Sequence, residues 1–556
     1  MRRILLVPAS LALAVVSATA ASSVAAQARP AAPAQAPVAR QAPAGARAQR
    51  PRPLPASAPR LVVVITVDQM RADYLERFKS QFTGGFARML RTGADFTDAY
   101  QDHAMTETAV GHSTILSGRN PASHGIVRNS EGVPDADYPL IGVRGPGASP
   151  LRFRGTELFD WLQARSPAAR MLSISRKDRG AILPVGRSKQ MVFWFAAGQF
   201  TTSRYYADTL PTWIQAVNAR AIPVHAAGRA WELLLPVDSY PEPDIAPWEN
   251  GGTNITFPHQ MPTDTAAAKR AFLLMPWMDQ LTLDAALAGV QATGLGRGPA
   301  SDILAVSLST TDAIGHAFGP NSREIHDQIV RLDRELGTFL DSLAKLRDPR
   351  RTVVVLTADH GVTPFSAWSR RNGFPLADDV SFDSLIRATQ DSLVGRAGAG
   401  QWIRFFDLGL LAMDRAGLTA RGVNVDSVVG ALAAAFRASH AVLRVDTPRS
   451  LAGVDTAQDA VGRRWKNTIP PDLGAELMVT LKPKFVLGGG PSAEHGQPSD
   501  DDTHVPLLFW GAGIRGGAFA QRVSVVDIAP TLAALLGVQP TEAVQGRVLA
   551  EALARR

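Results

Sequence analysis

The sequence predicts an α/β fold in which helices sandwich a central, mostly parallel sheet. Two observations carry this expectation. First, continuous apolar, β-branched runs recur at Leu61–Val67 (LVVVITV), Asp302–Leu308 (DILAVSL), Thr352–Leu356 (TVVVL) and Val505–Trp510 (VPLLFW). Such runs suit strands buried on both faces, as parallel strands are. Second, helical patterns separate them. From Glu324 to Leu346 the residues Ile325, Ile329, Leu332, Leu336, Phe339 and Leu343 recur at helical spacing. Strands alternating with helices build a sheet covered on both sides. Ligands then bind beyond the carboxyl ends of the strands.

The chain has 556 residues and no cysteine. Thiolate catalysis, Cys-ligated zinc, iron–sulfur clusters and disulfide scaffolds are excluded. The net charge of +8 is carried by the first 60 residues, which hold Arg2, Arg3, Arg29, Arg40, Arg47, Arg50, Arg52 and Arg60 and no acid. The remainder is formally neutral, so no global footprint for nucleic acid is expected. Residues 1–26 have the order of a secretory signal peptide: a basic start, an apolar stretch, then small residues. Pro8 and the many small residues make that stretch a poor span, so no stable membrane anchor is expected. Residues 27–58, rich in Ala, Pro, Arg and Gln, read as a disordered linker. A periplasmic or secreted protein is implied. Residues 59–556 form the body, with insertions expected at about 207–300 and 365–490 to cap the sheet edge.

Three of the strand runs are followed by metal-ligand residue types. Asp68 ends the first. TTDAIGHAFGP follows the second, with Asp312 and His316 four residues apart, so that one helical face can present both to a cation. Asp359 and His360 follow the third, in LTADHGV, and His495 supplies a late imidazole before a glycine. Asp and His without Cys suit zinc in an active site. Two such cations about 4 Å apart would clamp a displacement at phosphorus. In TETAVGHSTILSG, Thr108 stands just before an expected helix over 109–116. A helix N-terminus suits a phosphate, and metal coordination would activate the hydroxyl. After the strand Met171–Ser175, Lys177 and Arg179 occupy i and i+2 positions. In an extended segment they would point to one side, and two cations favour a phosphate monoester over a diester.

These motifs, with ISRKDRGAILP, DTHVPLLFWGAG and VSVVDIAPTLAALLG, resemble the alkaline phosphatase superfamily over about residues 60–550. The chain looks most like the phosphate-irrepressible, threonine-nucleophile alkaline phosphatases, relatives of the nucleotide pyrophosphatase/phosphodiesterases. The resemblance implies two Zn2+ per chain. Asp312, His316 and His495 would hold one; Asp68, Asp359 and His360, with the Thr108 oxygen, would hold the other. In that family a threonine stands 21 positions before an asparagine that binds a phosphoryl oxygen, which matches Thr108 and Asn129 rather than Thr106. His495 is preferred over His504 as a ligand because of its H-G pattern. Lys177 and Arg179 would bind phosphoryl oxygens. The implied reaction is phosphate monoester hydrolysis through a phosphothreonine intermediate on small-molecule substrates, with a monomer favoured.

Two rival readings remain at this point: a phosphodiesterase or nucleotide pyrophosphatase on the same scaffold, and an exported metal- or phosphate-binding protein without turnover. The absence of cysteine and of a Ser-x-Pro-x-Arg signature speaks against a sulfatase. Val192–Tyr206 reads as aromatic core, and Asp500–Asp502 as a solvated acidic turn rather than a cation site.

Overall fold

A computed structural model describes residues 54–488 and 492–554. The expected signal peptide, and the linker up to residue 53, lie outside the described residues. In chain order the strands of the two main sheets are β1 (Leu61–Val67), β2 (Ala94–Phe96), β3 (Met171–Ser175), β4 (Met191–Ala196), β5 (Gln199–Thr201), β6 (Asp302–Leu308), β7 (Thr352–Thr357), β8 (Ile403–Asp407), β9 (Leu410–Met413), β10 (Val442–Asp446), β11 (Ala475–Leu481), β12 (Leu507–Gly511) and β13 (Gly517–Phe519). The helices that matter to the site are α1 (Gly85–Thr92), α2 (Thr108–Ser117), α3 (Leu158–Arg165), α4 (Asp178–Ile182), α5 (Trp277–Thr293), α6 (Thr310–Phe318), α7 (Arg323–Leu346), α8 (Val425–Ala438) and α9 (Ile528–Leu536).

The large sheet has the order β13-β2-β12-β7-β1-β6-β3-β4-β5. Its middle, β7-β1-β6-β3-β4, is parallel throughout. Every residue of β1, β3, β6 and β7 is buried, as their apolar sequences require. The run at 505–510 begins its strand only at Leu507, because Pro506 has no N–H to give a ladder. It pairs antiparallel with β7. Val192–Phe195 and Phe200 are buried core, as the aromatic run suggested. Among the described residues no helix is long and apolar enough to cross a membrane.

The two expected insertions differ in kind. The stretch 207–300 ends in α5, which packs on β3 and β6 and so belongs to the layer flanking the sheet. The inserted part therefore stops before Trp277. In the stretch 365–490 the strands β8-β9-β11-β10 form a separate antiparallel sheet. It has its own apolar core, including Leu411, Met413, Leu477, and Leu432 and Phe436 of α8. The tip of its β8–β9 hairpin reaches the large sheet's edge, where Gln497 Nε2 donates to Leu408 O at 2.7 Å.

Helix α7 buries the apolar stripe read from the sequence, and one acid with it. Asp333 is fully buried, and its carboxylate accepts from the backbone N–H of Thr83 (2.7 Å), Gly84 (2.6 Å), Phe86 (2.8 Å) and Ala87 (3.2 Å). It thereby meets the free N–H groups at the start of α1 from another helix. Replacing Asp333 with Ala leaves those donors unmet, and the unfolding free energy in urea should fall by about 2–4 kcal/mol. A loss below about 0.5 kcal/mol, the size expected of an ordinary surface substitution, would refute this capping role.

Candidate active site

The strand register brings the candidate ligands together. Thr66 lies opposite both Thr357 and Ser307, and Ser175 opposite Ser307, so β7, β1, β6 and β3 end nearly level. The chain leaves these ends as Asp359-His360, Asp68, the first turn of α6 and Arg176-Lys177. Asp312 and His316 sit one turn apart on α6, with His316 Nε2 3.4 Å from Asp312 Oδ1. His495 arrives from the segment before β12, with Nε2 4.0 Å from Asp312 Oδ1, and its ring stacks on that of His360 at 3.8 Å.

Thr108 is the first residue of α2 rather than the residue before it. Glu107 is extended, and the Ala109 N–H in the first turn donates to Asn129 Oδ1 at 2.8 Å. All ten residues of α2 are buried. Gly111 allows this: a Cβ there would lie 2.1 Å from the carbonyl oxygen of Asp359, so only glycine lets the helix touch that segment. His112, one turn on, donates from Nδ1 to Thr108 O (2.8 Å), has Asp359 Oδ2 3.0 Å from that nitrogen, and pairs through Nε2 with Ser307 Oγ (2.8 Å). The second threonine, Thr106, accepts from Gly496 N–H at Oγ1 (2.8 Å) and from His495 Nδ1 at its carbonyl (2.6 Å).

Lys177 and Arg179 do not share the extended segment expected of them. The strand ends at Ser175, Lys177 is the N-cap residue of α4, and Arg179 already lies in that helix. The two side chains meet different partners. Lys177 Nζ lies 2.7 Å from Asp68 Oδ2, 2.7 Å from Asp312 Oδ2 and 3.1 Å from Thr108 Oγ1. Burial, then Asp407, push Glu107 up to about 7, against the Asn129 hydrogen bond and the charge of Arg179. The buried Nε of Arg179 has no hydrogen-bond partner among the described residues.

Three compact groups of ligand atoms form, each within 4.8 Å: Asp68–Asp359–His360, Asp312–His360–His495 and His316–Glu494–His495. The first is a set the sequence reading assembled. The other two regroup the expected Asp312, His316 and His495 with His360 and with Glu494, which the sequence reading passed over. Each histidine is oriented alike. Nδ1 donates to a carbonyl: Gly361 from His360 (2.9 Å), Ala493 from His316 (2.7 Å) and Thr106 from His495 (2.6 Å). That leaves the Nε2 lone pairs for a metal. His360 Nε2 and Asp68 Oδ1 are buried without a hydrogen-bond partner among the described residues. Buried imidazole and carboxylate donors left bare in this way fit zinc.

The electrostatics follow from packing acids together. Burial, then Asp312 and Asp359, push Asp68 up to about 6. Burial also works against ionisation of Asp312, but Lys177 and His316 outweigh it and hold that acid well below its usual range. His360 and His112 do the same for Asp359. Gln69, with φ of 67°, ties two of the acids: its N–H donates to Asp359 Oδ1 (3.1 Å) and its Nε2 to Asp312 Oδ1 (3.4 Å). The sequence reading missed Gln69 and Glu107, although both adjoin a residue it named.

The family model described as Type I phosphodiesterase / nucleotide pyrophosphatase matches residues 62–405. Alkaline phosphatase PafA of Elizabethkingia meningoseptica is 30% identical over 89% of this chain and 95% of its own length. Alkaline phosphatase PhoK of a Sphingomonas species is 32% identical over 89% and 91%. The crystal structure of wild-type PafA superimposes with a TM-score of 0.82, covering 89% of this chain and 99% of that one.

Of the acidic triplet, expected to be a solvated turn, only Asp500 is exposed. Asp500 pairs with Arg464, and Asp501 with Arg71 and Lys484. Asp502 is buried and accepts from Gln497 N–H (2.9 Å) and the Thr363 hydroxyl (2.8 Å). Burial pushes Asp502 from 3.8 up to about 7, against those hydrogen bonds. The unfolded chain then releases this proton first, so ionisation favours unfolding. The stability of the wild type relative to Asp502→Asn should fall as pH rises from 3.8 to about 7 and level off above. Paired urea titrations, both proteins with chelator, measure it; a difference independent of pH would overturn the assignment.

Proposed function

We infer that this chain, which belongs to the type I phosphodiesterase/nucleotide pyrophosphatase family, is an alkaline phosphatase: an exported, two-zinc phosphate monoesterase with Thr108 as its nucleophile. Alkaline phosphatases that resemble it over most of its length support the activity. The observation that carries the site assignment is the position of Lys177. Its ammonium touches the Thr108 hydroxyl and a carboxylate from each of two ligand groups. Nucleophile, metal ligands and a cation for the phosphoryl group thus share one point.

Asp68, Asp359 and His360 would hold one zinc next to Thr108, and Asp312, His316 and His495 the other. Zinc bound there supplies positive charge that lowers the pKa of a hydroxyl and stabilises a leaving oxygen. Thr108, fixed at the first turn of a buried helix, attacks phosphorus, and the alcohol departs. The phosphothreonine is then hydrolysed by water to inorganic phosphate. Lys177, Arg179 and the Asn129 amide hold phosphoryl oxygens, where negative charge spreads in the transition state. A monoester carries more negative charge than a diester, so these cations favour it. The apolar N-terminal stretch supports export to the periplasm or medium.

Hydrolysis of p-nitrophenyl phosphate and bis-p-nitrophenyl phosphate, side by side, tests the reading. The monoester should be strongly preferred, and a chelator should abolish turnover until zinc is returned. Preference for the diester would instead favour a phosphodiesterase, and zinc or phosphate binding without turnover a binding protein. Thr108→Ala should lower kcat about a thousandfold or more at unchanged zinc content; near-full activity would remove Thr108 as nucleophile. Lys177→Ala should cost the monoester about 10- to 100-fold in kcat/KM and the diester less. An equal loss on both would show that Lys177 does not discriminate by charge.

A further inference from the structure

Asn129 is held by three hydrogen bonds that leave its amide one orientation. Glu107 Oε2 accepts from the Asn129 backbone N–H at 2.7 Å, and Glu107 Oε1 accepts from Asn129 Nδ2 at 3.2 Å. Asn129 Oδ1 accepts from the Ala109 N–H at 2.8 Å. A flipped amide would set its oxygen against a carboxylate and its nitrogen against an N–H donor, losing both bonds. The Asn129 nitrogen keeps one hydrogen that these bonds do not use.

We propose that Glu107 is a positioning residue for phosphoryl recognition: its carboxylate locks the Asn129 amide with nitrogen, not oxygen, presented to the ester. The proposal rests on the alkaline phosphatase reading above. Placement supports it. Glu107 adjoins the nucleophile in sequence, and it is 9% exposed. A carboxylate this buried is stabilised only by groups that meet it, and both hydrogen bonds given to it come from Asn129. A charged acceptor also polarises the amide and strengthens its remaining N–H as a donor.

A double-mutant cycle on the zinc-loaded enzyme tests this, using Glu107→Ala, Asn129→Ala and the pair. The readouts are kcat/KM for p-nitrophenyl phosphate and the inhibition constant of inorganic phosphate, with zinc content as control. Glu107→Ala should cost about 10- to 100-fold in kcat/KM and weaken phosphate inhibition in the same direction. In the Asn129→Ala background the same change should cost less than about threefold, because there is no amide left to orient. Glu107→Gln, which keeps an acceptor for the backbone N–H, should recover part of the loss, and it carries the cycle if the Ala variant does not fold. Equal losses in both backgrounds, or no loss in either, overturn the proposal while leaving the phosphatase reading intact. Full activity in Asn129→Ala overturns the proposal and the assignment of Asn129 to phosphoryl oxygen, while an absence of all p-nitrophenyl phosphate turnover in the zinc-loaded wild type would overturn the phosphatase reading instead.

Discussion

Three carboxylates, Asp68, Asp312 and Asp359, are buried together beyond the ends of three adjacent strands. Like charges removed from water repel and resist ionisation, and the upward shift of Asp68 to about 6 is that cost made visible. The surrounding structure answers with positive charge. Lys177 bridges Asp68 and Asp312, and His316 faces Asp312; beside them the His112 imidazole stands 3.0 Å from Asp359. A fold that concentrates negative charge at one sheet edge creates a candidate place for divalent cations.

The segments around these acids are joined by contacts between residues far apart in sequence. Thr106 is joined to His495 and Gly496, some 390 residues away, by a carbonyl and a hydroxyl. Gly496, at φ of +110°, lets Leu408 of the smaller sheet's hairpin lie over it, where a Cβ would meet the leucine at 2.3 Å. Gln497 then binds Leu408 O and the Leu481 N–H. The nucleophile segment, the late histidine and the inserted sheet are thus one hydrogen-bonded assembly. The inserted sheet is part of what holds the candidate site, and a change in its hairpin would be felt at His495.

What could be read in the sequence was what depends on one strand at a time. β1, β3 and β6 have the bounds their uniform apolar runs suggested, and the acids that follow them lie at the edge where parallel strands deliver ligands. Helix α7 was legible because its stripe is long and regular. Features that depend on a turn or on a distant partner were not. Arg179 was expected to follow strand alternation, but α4 begins at Asp178 and takes it out of the extended segment. Helix α5 was taken for part of an insertion because nothing local distinguishes a crossover helix from a cap. Gln69, Glu107 and Glu494 each stand beside a residue that was named. Their importance arises from bonds of Gln69 to Asp359 and of Glu107 to Asn129, and from the approach of Glu494 to His316, none of which a local pattern encodes.

The separation of Lys177 from Arg179 changes how the proposed monoester preference should be understood. A simple count gives two cations for the substrate. Lys177, however, already neutralises part of the charge on two carboxylates, so only a fraction of its field reaches an incoming phosphate. Arg179 differs: it has a buried N–H without a hydrogen-bond partner among the described residues, and it makes a loose ion pair to Asp178 at 3.6 Å. The guanidinium, with planar paired donors, is also the better match for two phosphoryl oxygens. The roles then divide by geometry. In the proposed reading Lys177 would serve the carboxylates and the phosphoryl group together, while Arg179 and Asn129, both near Glu107, would supply further donors to phosphoryl oxygens. The proposed selectivity for the more highly charged ester would then draw most on Arg179, the cation that fewer carboxylates already neutralise.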